Sequence, residues 1–358
     1  MQIGARRISA DAPTYFIADI SANHDGEIER AKALIHIAAE SGADAAKFQN
    51  FRAEKIVSEH GFSAIADNAS HQAKWKKSVI QVYRDASLPW EWTELLCSEC
   101  HKAGIDYFST PYDFEAVDML DAHVPAFKIG SGDITWLDML RRVAEKRKPV
   151  ILATGASGIE DVRRAVAVIQ SINPALGLMQ CNTNYTGSLE NFKHIHLNVL
   201  KTYRAMFPDV VLGLSDHTPQ HATVLGAVAL GARLIEKHFT DDTSREGPDH
   251  PFSMTPRTWR EMVDRTRELE LALGDADKRV ADNEQETVIV QRRCLRATAA
   301  LSAGSIIRRD AIDVLRPAPA DAIFPYEIDR VLGRRLRVDV LRGEAFRWSM
   351  LEEVNGNA

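Results

Sequence analysis

The sequence has little of what marks secreted, membrane-spanning or nucleic-acid-binding proteins. Four cysteines in 358 residues are too few for a disulfide framework in a chain of this size. No apolar run approaches the roughly 18–20 residues of a membrane helix, and the N-terminal MQIGARRISADAPTY lacks the apolar core of a signal peptide. A net charge of −6 does not favour non-specific nucleic-acid binding. We therefore expect a globular, cytoplasmic protein that binds neither membranes nor nucleic acid.

Eight β-rich segments alternate with segments of helical period between residues 15 and 273. Several are apolar throughout their middle, which is typical of strands that are buried on both faces. Eight β-then-α units predict a (β/α)₈ (TIM) barrel. A doubly wound open sheet is the main alternative, but the chain has no glycine-rich nucleotide-binding motif to support it. The predicted strands are residues 15–21, 45–49, 106–110, 126–131, 150–154, 177–182, 210–216 and 234–239.

The composition changes after the last of these units, which predicts a second, smaller domain. We expect a catalytic barrel over residues 1–273, a polar linker over 274–288 and a small domain over 289–354. From residue 287 onward there are twelve arginines, no lysine and nine acidic residues. Because so small a domain has a thin core, we expect it to dock on a surface of opposite charge, such as the acidic barrel.

Polar residues end or follow seven of the eight predicted strands, at the end of a barrel where catalytic groups project. Lys47 and Lys128 end the second and fourth strands, and the hydroxyls of Thr110 and Ser131 flank them. Two ammonium groups with short hydroxyl donors form a pocket suited to a doubly charged anion such as phosphate. Taken singly, either lysine would be read as salt-bridged or as extending its ammonium group to the surface.

His217 and His238 end the seventh and eighth predicted strands, which are neighbours in a barrel. Two imidazoles there predict a divalent metal site, with water and substrate as the remaining ligands. A single buried histidine is more often a core residue with its hydrogen bonds satisfied. Two ligands leave an open site, which suits a Lewis acid better than a structural metal.

The motifs, in order and spacing, resemble the sialic acid synthase family, which makes nine-carbon 3-deoxy-ulosonic acids. The similarity extends over about residues 13–352. It runs through ADISANHDG, GADAAKFQ, YFSTPYD, FKIGSGD, ILATG, GLSDHT, ALGARLIEKHF and GPDHPFSM, and continues into AGSIIRRDAIDVLRPAPA, which resembles the family's antifreeze-like (SAF) domain.

This resemblance implies a condensation of phosphoenolpyruvate with the open-chain aldehyde of an acylamino hexose, which releases phosphate. The hexose would be N-acetylmannosamine or a 2,4-diacetamido-trideoxyhexose. The resemblance also implies Mn²⁺ or Mg²⁺ on His217 and His238 and a domain-swapped homodimer. For the reaction itself, our hypothesis is that a carboxylate, Asp19 or Glu236, orients the sugar hydroxyls or activates water; the sequence does not assign the base. The implied phosphoenolpyruvate-binding residues are Lys47, Gln49, Thr110, Lys128, Ser131 and Ser215, with Thr183 or Asn184; the implied sugar contacts are Asp19, Tyr185, Asp249 and Arg316 of the partner subunit.

Three other functions compete with this interpretation. A Schiff-base aldolase would use Lys47 or Lys128 as its nucleophile and handle free pyruvate. A metal-dependent hydrolase would be built on the two histidines, and a carbohydrate- or ice-binding protein would use the tail beside an inactive barrel. Within the favoured family, Asp19 stands where most members have glutamate, and the sequence does not separate neuraminate, legionaminate and pseudaminate synthases.

Overall fold

The structure is a computed structural model in which residues 1–64 and 77–353 are described. The chain divides into two compact units, Met1–Gly274 and Asp275–Ala358. In the described part of the chain, no helix is long and apolar enough to cross a membrane.

The strands of the first unit form an antiparallel hairpin, β1 and β2, and a parallel eight-stranded sheet, β3 to β10, in the order β5-β4-β3-β10-β9-β8-β7-β6. The outer strands β5 and β6 contact each other, so the sheet is a nearly closed barrel and the predicted (β/α)₈ fold is confirmed. Every predicted strand is present, with its ends within two residues of the prediction. The bounds are β1 Gln2–Ile3, β2 Arg6–Arg7, β3 Tyr15–Asp19, β4 Ala45–Asn50, β5 Asp106–Pro111, β6 Phe127–Ile129, β7 Val150–Ala153, β8 Leu176–Cys181, β9 Val211–Asp216 and β10 Leu234–His238.

Amphipathic helices cover the outside of the barrel, and the main core lies between them and the strands. Their ends follow local rules. The Thr255 side chain caps the last helix by accepting from the Thr258 amide, and Gly104, at φ 75°, ends the fifth. The helices of this unit are α1 Ile28–Glu40, α2 Ala53–Ile56, α3 Glu59–Ala64, α4 Val79–Ala86, α5 Thr93–Ala103, α6 Phe114–Leu120, α7 Leu137–Glu145, α8 Ile159–Gln170, α9 Val199–Met206, α10 Ala222–Ala229 and α11 Pro256–Leu273.

The insertion between β4 and β5, about residues 52–105, is predicted from the sequence to be a long loop over one barrel end plus two helices. The structure is more helical than that prediction. It contains α2 to α5, and Ala53, Val57 and Ile80 form a small apolar cluster of their own. Helices as short as α2 and α3 carry too few residues for a periodic signal, which is why the sequence did not reveal them. Residues 65–76, part of the predicted loop, lie outside the described residues.

The N-terminal hairpin closes the amino end of the barrel, which the sequence did not predict. Ile3 and Ile8 are buried in one cluster with the strand residues Tyr15 and Phe108. The Tyr15 hydroxyl donates to the carboxylate of Asp106 at 2.5 Å. Apolar side chains therefore fill most of this end of the barrel, and we look for the functional site at the other end, where catalytic groups of this fold project.

The second unit is a small β-rich domain with its own core around Leu295, Ile323, Val331 and Phe346. Helix α12, Gln285–Gln291, precedes two antiparallel strands, β11 Cys294–Ala297 and β12 Ile312–Leu315. The predicted linker, residues 274–288, thus includes the first turn of α12.

Candidate active site

A cavity of about 420 Å³ opens at the carboxyl ends of the barrel strands. Its walls come from all eight strands of the barrel and from the loops that follow them, as expected for the functional end of this fold. Twelve of the sequence-predicted site residues line it: Asp19, Lys47, Gln49, Thr110, Lys128, Ser131, Tyr185, Ser215, His217, Glu236, His238 and Asp249.

Lys47 and Lys128 lie at the bottom of this cavity and form what we call the lysine floor. Both are almost fully buried, with 1% and 4% of their surface exposed. Lys47 Nζ is 2.6 Å from Asp19 Oδ2 and 3.5 Å from Thr110 Oγ1, and Lys128 Nζ donates to Glu236 Oε1 at 2.9 Å. Burial favours a neutral amine, but Asp19 and Glu236 outweigh it and raise the pKa of Lys47. Lys47 is therefore a charged, fixed donor.

Glu236, the partner of Lys128 in the lysine floor, is ionised. Burial opposes its charge, but Lys128 and Lys47 lower the pKa of Glu236 to about 2. Its Oε1 also accepts from Ser215 Oγ at 3.3 Å. Its Oε2, like Asp19 Oδ1, has no hydrogen-bond partner among the described residues. Buried acceptors of this kind are expected to meet a ligand.

The rings of His217 and His238 face each other across one side of the cavity, with centroids 5.4 Å apart. His217 Nδ1 lies 2.9 Å from the Asn182 carbonyl oxygen, which sets the proton on Nδ1 and leaves Nε2 as the lone-pair nitrogen. Burial and the neighbouring His238 lower the pKa of His217 to about 3, so the ring is neutral. His238 Nδ1 is buried without a hydrogen-bond partner in the described part of the chain.

This donor set fits an open divalent-metal site with two protein ligands. Neutral imidazoles with a fixed tautomer are the form that binds metal. In residues 1–64 and 77–353 no group of three or more His, Cys, Asp or Glu side chains is arranged to hold a metal ion. The remaining ligands of an ion on His217 and His238 would therefore be water or substrate.

Aromatic rings and a second acidic residue complete the histidine side. Tyr185 packs edge-on against His217, with centroids 4.4 Å apart, and Phe252 lies 4.9 Å from His238. Burial raises the pKa of Tyr185, so its phenol stays neutral. Asp249 Oδ2 accepts from Ser21 Oγ at 2.6 Å, which fixes the carboxylate against the loop after β3, and Asp249 lines the cavity.

The structure adds Asp133 to the cavity wall, a residue that the sequence analysis missed. Burial raises the pKa of Asp133 to about 6, and its Oδ2 has no hydrogen-bond partner among the described residues. The sequence signal that could have identified Asp133 is its position two residues after Ser131, just beyond a strand end. Val82 and Tyr83 of α4 also line the cavity, but no strand-end rule could have found them.

Three predicted residues lie elsewhere. Thr183 and Asn184 do not line the cavity, and Asn184 Oδ1 accepts from Thr186 and Asn191 instead. Arg316 is an exposed residue of the second unit, directly after β12. Their contacts with substrate stay predictions.

Comparisons with known proteins agree with this geometry. A model of the NeuB family matches residues 34–278, and a SAF domain model matches residues 292–352. The chain is 33% identical over 344 residues to the N,N'-diacetyllegionaminic acid synthase of Legionella pneumophila, covering 94% of each protein. It is 31% identical over 354 residues to the pseudaminic acid synthase of Campylobacter jejuni, covering 97% of this chain and 98% of that protein.

A solved structure supports the same relationship. The crystal structure of N-acetylneuraminic acid (sialic acid) synthetase from Leptospira borgpetersenii superposes with a TM-score of 0.71 at 26% identity, covering 80% of this chain and 94% of that one. The predicted resemblance is thereby confirmed: the chain belongs to the NeuB family, with relatives named as sialic, legionaminic and pseudaminic acid synthases, and carries a C-terminal SAF domain.

Proposed function

We propose that this protein is a nonulosonic acid synthase that condenses phosphoenolpyruvate and water with the open-chain aldehyde of an N-acylated hexose. The products are a 3-deoxy-2-keto acid and inorganic phosphate, so the enzyme is a transferase that forms a C–C bond. The sugar is N-acetylmannosamine or a 2,4-diacetamido-trideoxyhexose. The names of its relatives support this reaction class.

One observation carries the proposal: a buried lysine pair and a pair of neighbouring histidines line the same cavity. The lysine floor suits the phosphate and carboxylate of phosphoenolpyruvate. The histidine side suits a metal ion beside an uncharged aldehyde. Neither a simple anion site nor a structural metal site needs both.

The charge balance of the cavity supports the divalent ion. Each lysine of the floor is paired with a carboxylate, Lys47 with Asp19 and Lys128 with Glu236. The two ion pairs together therefore carry no excess positive charge. Phosphoenolpyruvate is a multiply charged anion and needs such an excess. Mn²⁺ or Mg²⁺ held by the two cavity histidines would supply it, and would polarise the aldehyde oxygen as a Lewis acid.

The floor binds and orients phosphoenolpyruvate. An ammonium group has three donors, so each lysine can keep its carboxylate and still donate to the substrate. The hydroxyls of Thr110, Ser131 and Ser215 line the same cavity and add neutral donors. Holding the anion in one orientation presents its C3 to the aldehyde, and this positioning supplies much of the rate enhancement.

Two carboxyl groups of different acidity divide the remaining work. The C2=C3 π electrons of phosphoenolpyruvate form a bond from C3 to the aldehyde carbon, the C=O π bond opens and its oxygen takes up a proton. Water adds at C2 and loses one proton; the C–O bond to phosphate then breaks as the new hydroxyl gives up its second proton, which leaves the ketone and phosphate. Glu236 is ionised and stabilises the positive charge that develops at C2. Asp133, with a pKa of about 6, takes the proton of the attacking water.

We further propose a cytoplasmic, domain-swapped homodimer in which Arg316 of the partner subunit contacts the acylamino group of the sugar. Support comes from the exposure of Arg316 and from the arginine-rich, lysine-free composition of the tail. An arginine presents several fixed donors to a planar amide oxygen, whereas lysine is a point charge.

The test is phosphate release from phosphoenolpyruvate with Mn²⁺, over a panel of N-acetylmannosamine, mannose and 2,4-diacetamido-trideoxyhexoses. Release that depends on one acylamino sugar is expected, and it should be lost with a chelator or in His238→Ala. His36→Ala, which removes a histidine–Glu99 pair on the outer helices, is the matched control. Full activity of His238→Ala would refute the metal site, and no release with any sugar would refute the synthase.

The competing aldolase and hydrolase functions fit the site less well. A Schiff-base lysine needs a neutral amine at working pH, whereas the pKa of Lys47 is raised because Asp19 and Glu236 outweigh its burial. A metal hydrolase normally has three protein ligands, and the described residues offer no such group. Borohydride trapping with pyruvate would reveal a Schiff base directly.

A further inference from the structure

Beside the cavity, a buried histidine joins the loop after β10 to the loop after β3. His250 is fully buried. Its Nε2 lies 2.9 Å from Asp25 Oδ1, and its Nδ1 lies 2.8 Å from Thr240 Oγ1. Since both ring nitrogens have partners, the ring is fixed between the two loops.

Asp25 is the centre of a larger ion network. Its Oδ2 accepts from Arg245 Nε at 2.8 Å and lies 3.1 Å from Arg30 Nε. Arg30, on α1, also pairs with Asp241 at 2.6 Å. The network therefore ties helix α1 and the loop after β3 to two points of the loop after β10.

The backbone at this junction is strained at two positions. Ser21 and Asp25 have φ values of 46° and 54°, in the left-handed region that non-glycine residues seldom adopt. The side chains of both residues cross to the other loop, Ser21 to Asp249 and Asp25 to His250, as does the Asn23 side chain between them. Strain of this kind persists where surrounding contacts enforce it, and it clusters at functional sites.

Gly247 shows how tightly the histidine is packed. A Cβ atom added at Gly247 would lie 2.7 Å from Cδ2 of His250, closer than real Cβ contacts. A side chain at this position would push the imidazole ring away from Asp25. The loop is thus built around the buried ring.

We propose that Asp25 and His250 are positioning residues: their link fixes Asp249, and Asp249 binds the sugar. Neither side chain lines the 420 Å³ cavity, so they act through the loop and not by contact with substrate. The Asp25–His250 link holds the loop after β10 against Ser21, where Asp249 Oδ2 is hydrogen-bonded and the carboxylate lines the cavity. The inference rests on the proposed synthase function, in which Asp249 contacts the sugar.

The experiment is a double-mutant cycle on KM values, measured by phosphate release with saturating Mn²⁺. Asp25→Ala and His250→Ala should each raise KM for the sugar about tenfold or more and leave KM for phosphoenolpyruvate within about twofold. The double variant should be no worse than the poorer single variant, because the two residues act through one link. His250→Gln, which keeps a donor for Asp25, should recover most of the sugar affinity.

Controls separate positioning from general destabilisation. His36→Ala removes the His36–Glu99 pair on the outer helices, in which Nε2 and Oε1 are 2.7 Å apart. This change is remote from the cavity and should alter neither KM. Gly247→Ala should reproduce the selective rise if His250→Ala fails to fold. Equal rises in both KM values, additive effects of the two substitutions or an unchanged sugar KM would overturn this inference and leave the proposed function standing. A folded wild-type protein without sugar-dependent phosphate release would overturn the proposed function and this inference with it.

Discussion

Lys47 and Asp19 are partners both through the backbone and through their side chains. Their Cα atoms are opposite each other in the β3–β4 ladder, and Lys47 Nζ lies 2.6 Å from Asp19 Oδ2. Both side chains are at most 2% exposed. The ladder therefore aligns an ion pair at the bottom of the cavity, where neither charge can be solvated if the other is removed.

Removing only the lysine should destabilise the fold. Lys47→Met leaves Asp19 buried without its partner, which costs about 3–5 kcal/mol of unfolding free energy. Adding Asp19→Asn should restore much of that loss, as measured by denaturant unfolding. Lys77→Met breaks the exposed pair with Asp85 and should cost less than about 1 kcal/mol. If Lys47→Met is as stable as Lys77→Met, the pair does not contribute as argued.

Asp133 should make stability and activity depend on pH near 6. Burial raises its folded-state pKa from 3.8 to about 6, so between these values the folded state holds a proton that the unfolded state has lost. The free energy of unfolding should therefore fall as pH rises from about 4 to 6, by up to about 3 kcal/mol relative to Asp133→Asn. The kcat/KM of the wild type should rise through pH 6, and this limb should vanish in Asp133→Asn. Parallel pH curves for the two proteins would contradict both roles.

Gly155 packs against Ser131, a residue of the proposed anion site, and should not tolerate a side chain. Its amide donates to Ser131 Oγ at 2.9 Å, and an added Cβ would lie 2.4 Å from Thr183 Cγ2 and 3.0 Å from that hydroxyl. Gly155→Ala should displace Ser131 and raise KM for phosphoenolpyruvate about tenfold. Gly158→Ala, with its nearest contact at 3.7 Å, should leave KM unchanged. If Gly158→Ala raised KM for phosphoenolpyruvate and Gly155→Ala did not, Ser131 would not belong to the proposed anion site.

Arg316 should affect the sugar selectively. Arg316→Ala should raise KM for the sugar at least about tenfold with little change for phosphoenolpyruvate, because only the sugar carries the acylamino group. Arg342→Ala, another exposed arginine of the tail, is the control. Mixing Arg316→Ala with a Lys47→Met variant should restore sugar affinity in the hybrid dimer if the arginine is supplied across subunits. An equal effect on both substrates would count against the contact.

The barrel strands were predictable because burial on both faces leaves apolar runs with polar residues at one end. That rule located Lys47, Lys128, His217 and His238, which the structure brings into one cavity. It could not locate Asp25 and His250, because their link depends on two left-handed residues and on the path of a loop. The hairpin that closes the barrel was missed for a similar reason: two-residue strands have no periodicity to detect.

The closed amino end has a kinetic consequence. With the hairpin and layers of apolar side chains filling the barrel below it, the lysine floor, where we propose that the anion binds, is the deepest part of the cavity. A sugar bound at the rim near Asp249 would lie across the way in. We therefore expect steady-state kinetics with an obligatory order, in which phosphoenolpyruvate enters before the sugar and excess sugar inhibits by occupying the rim first.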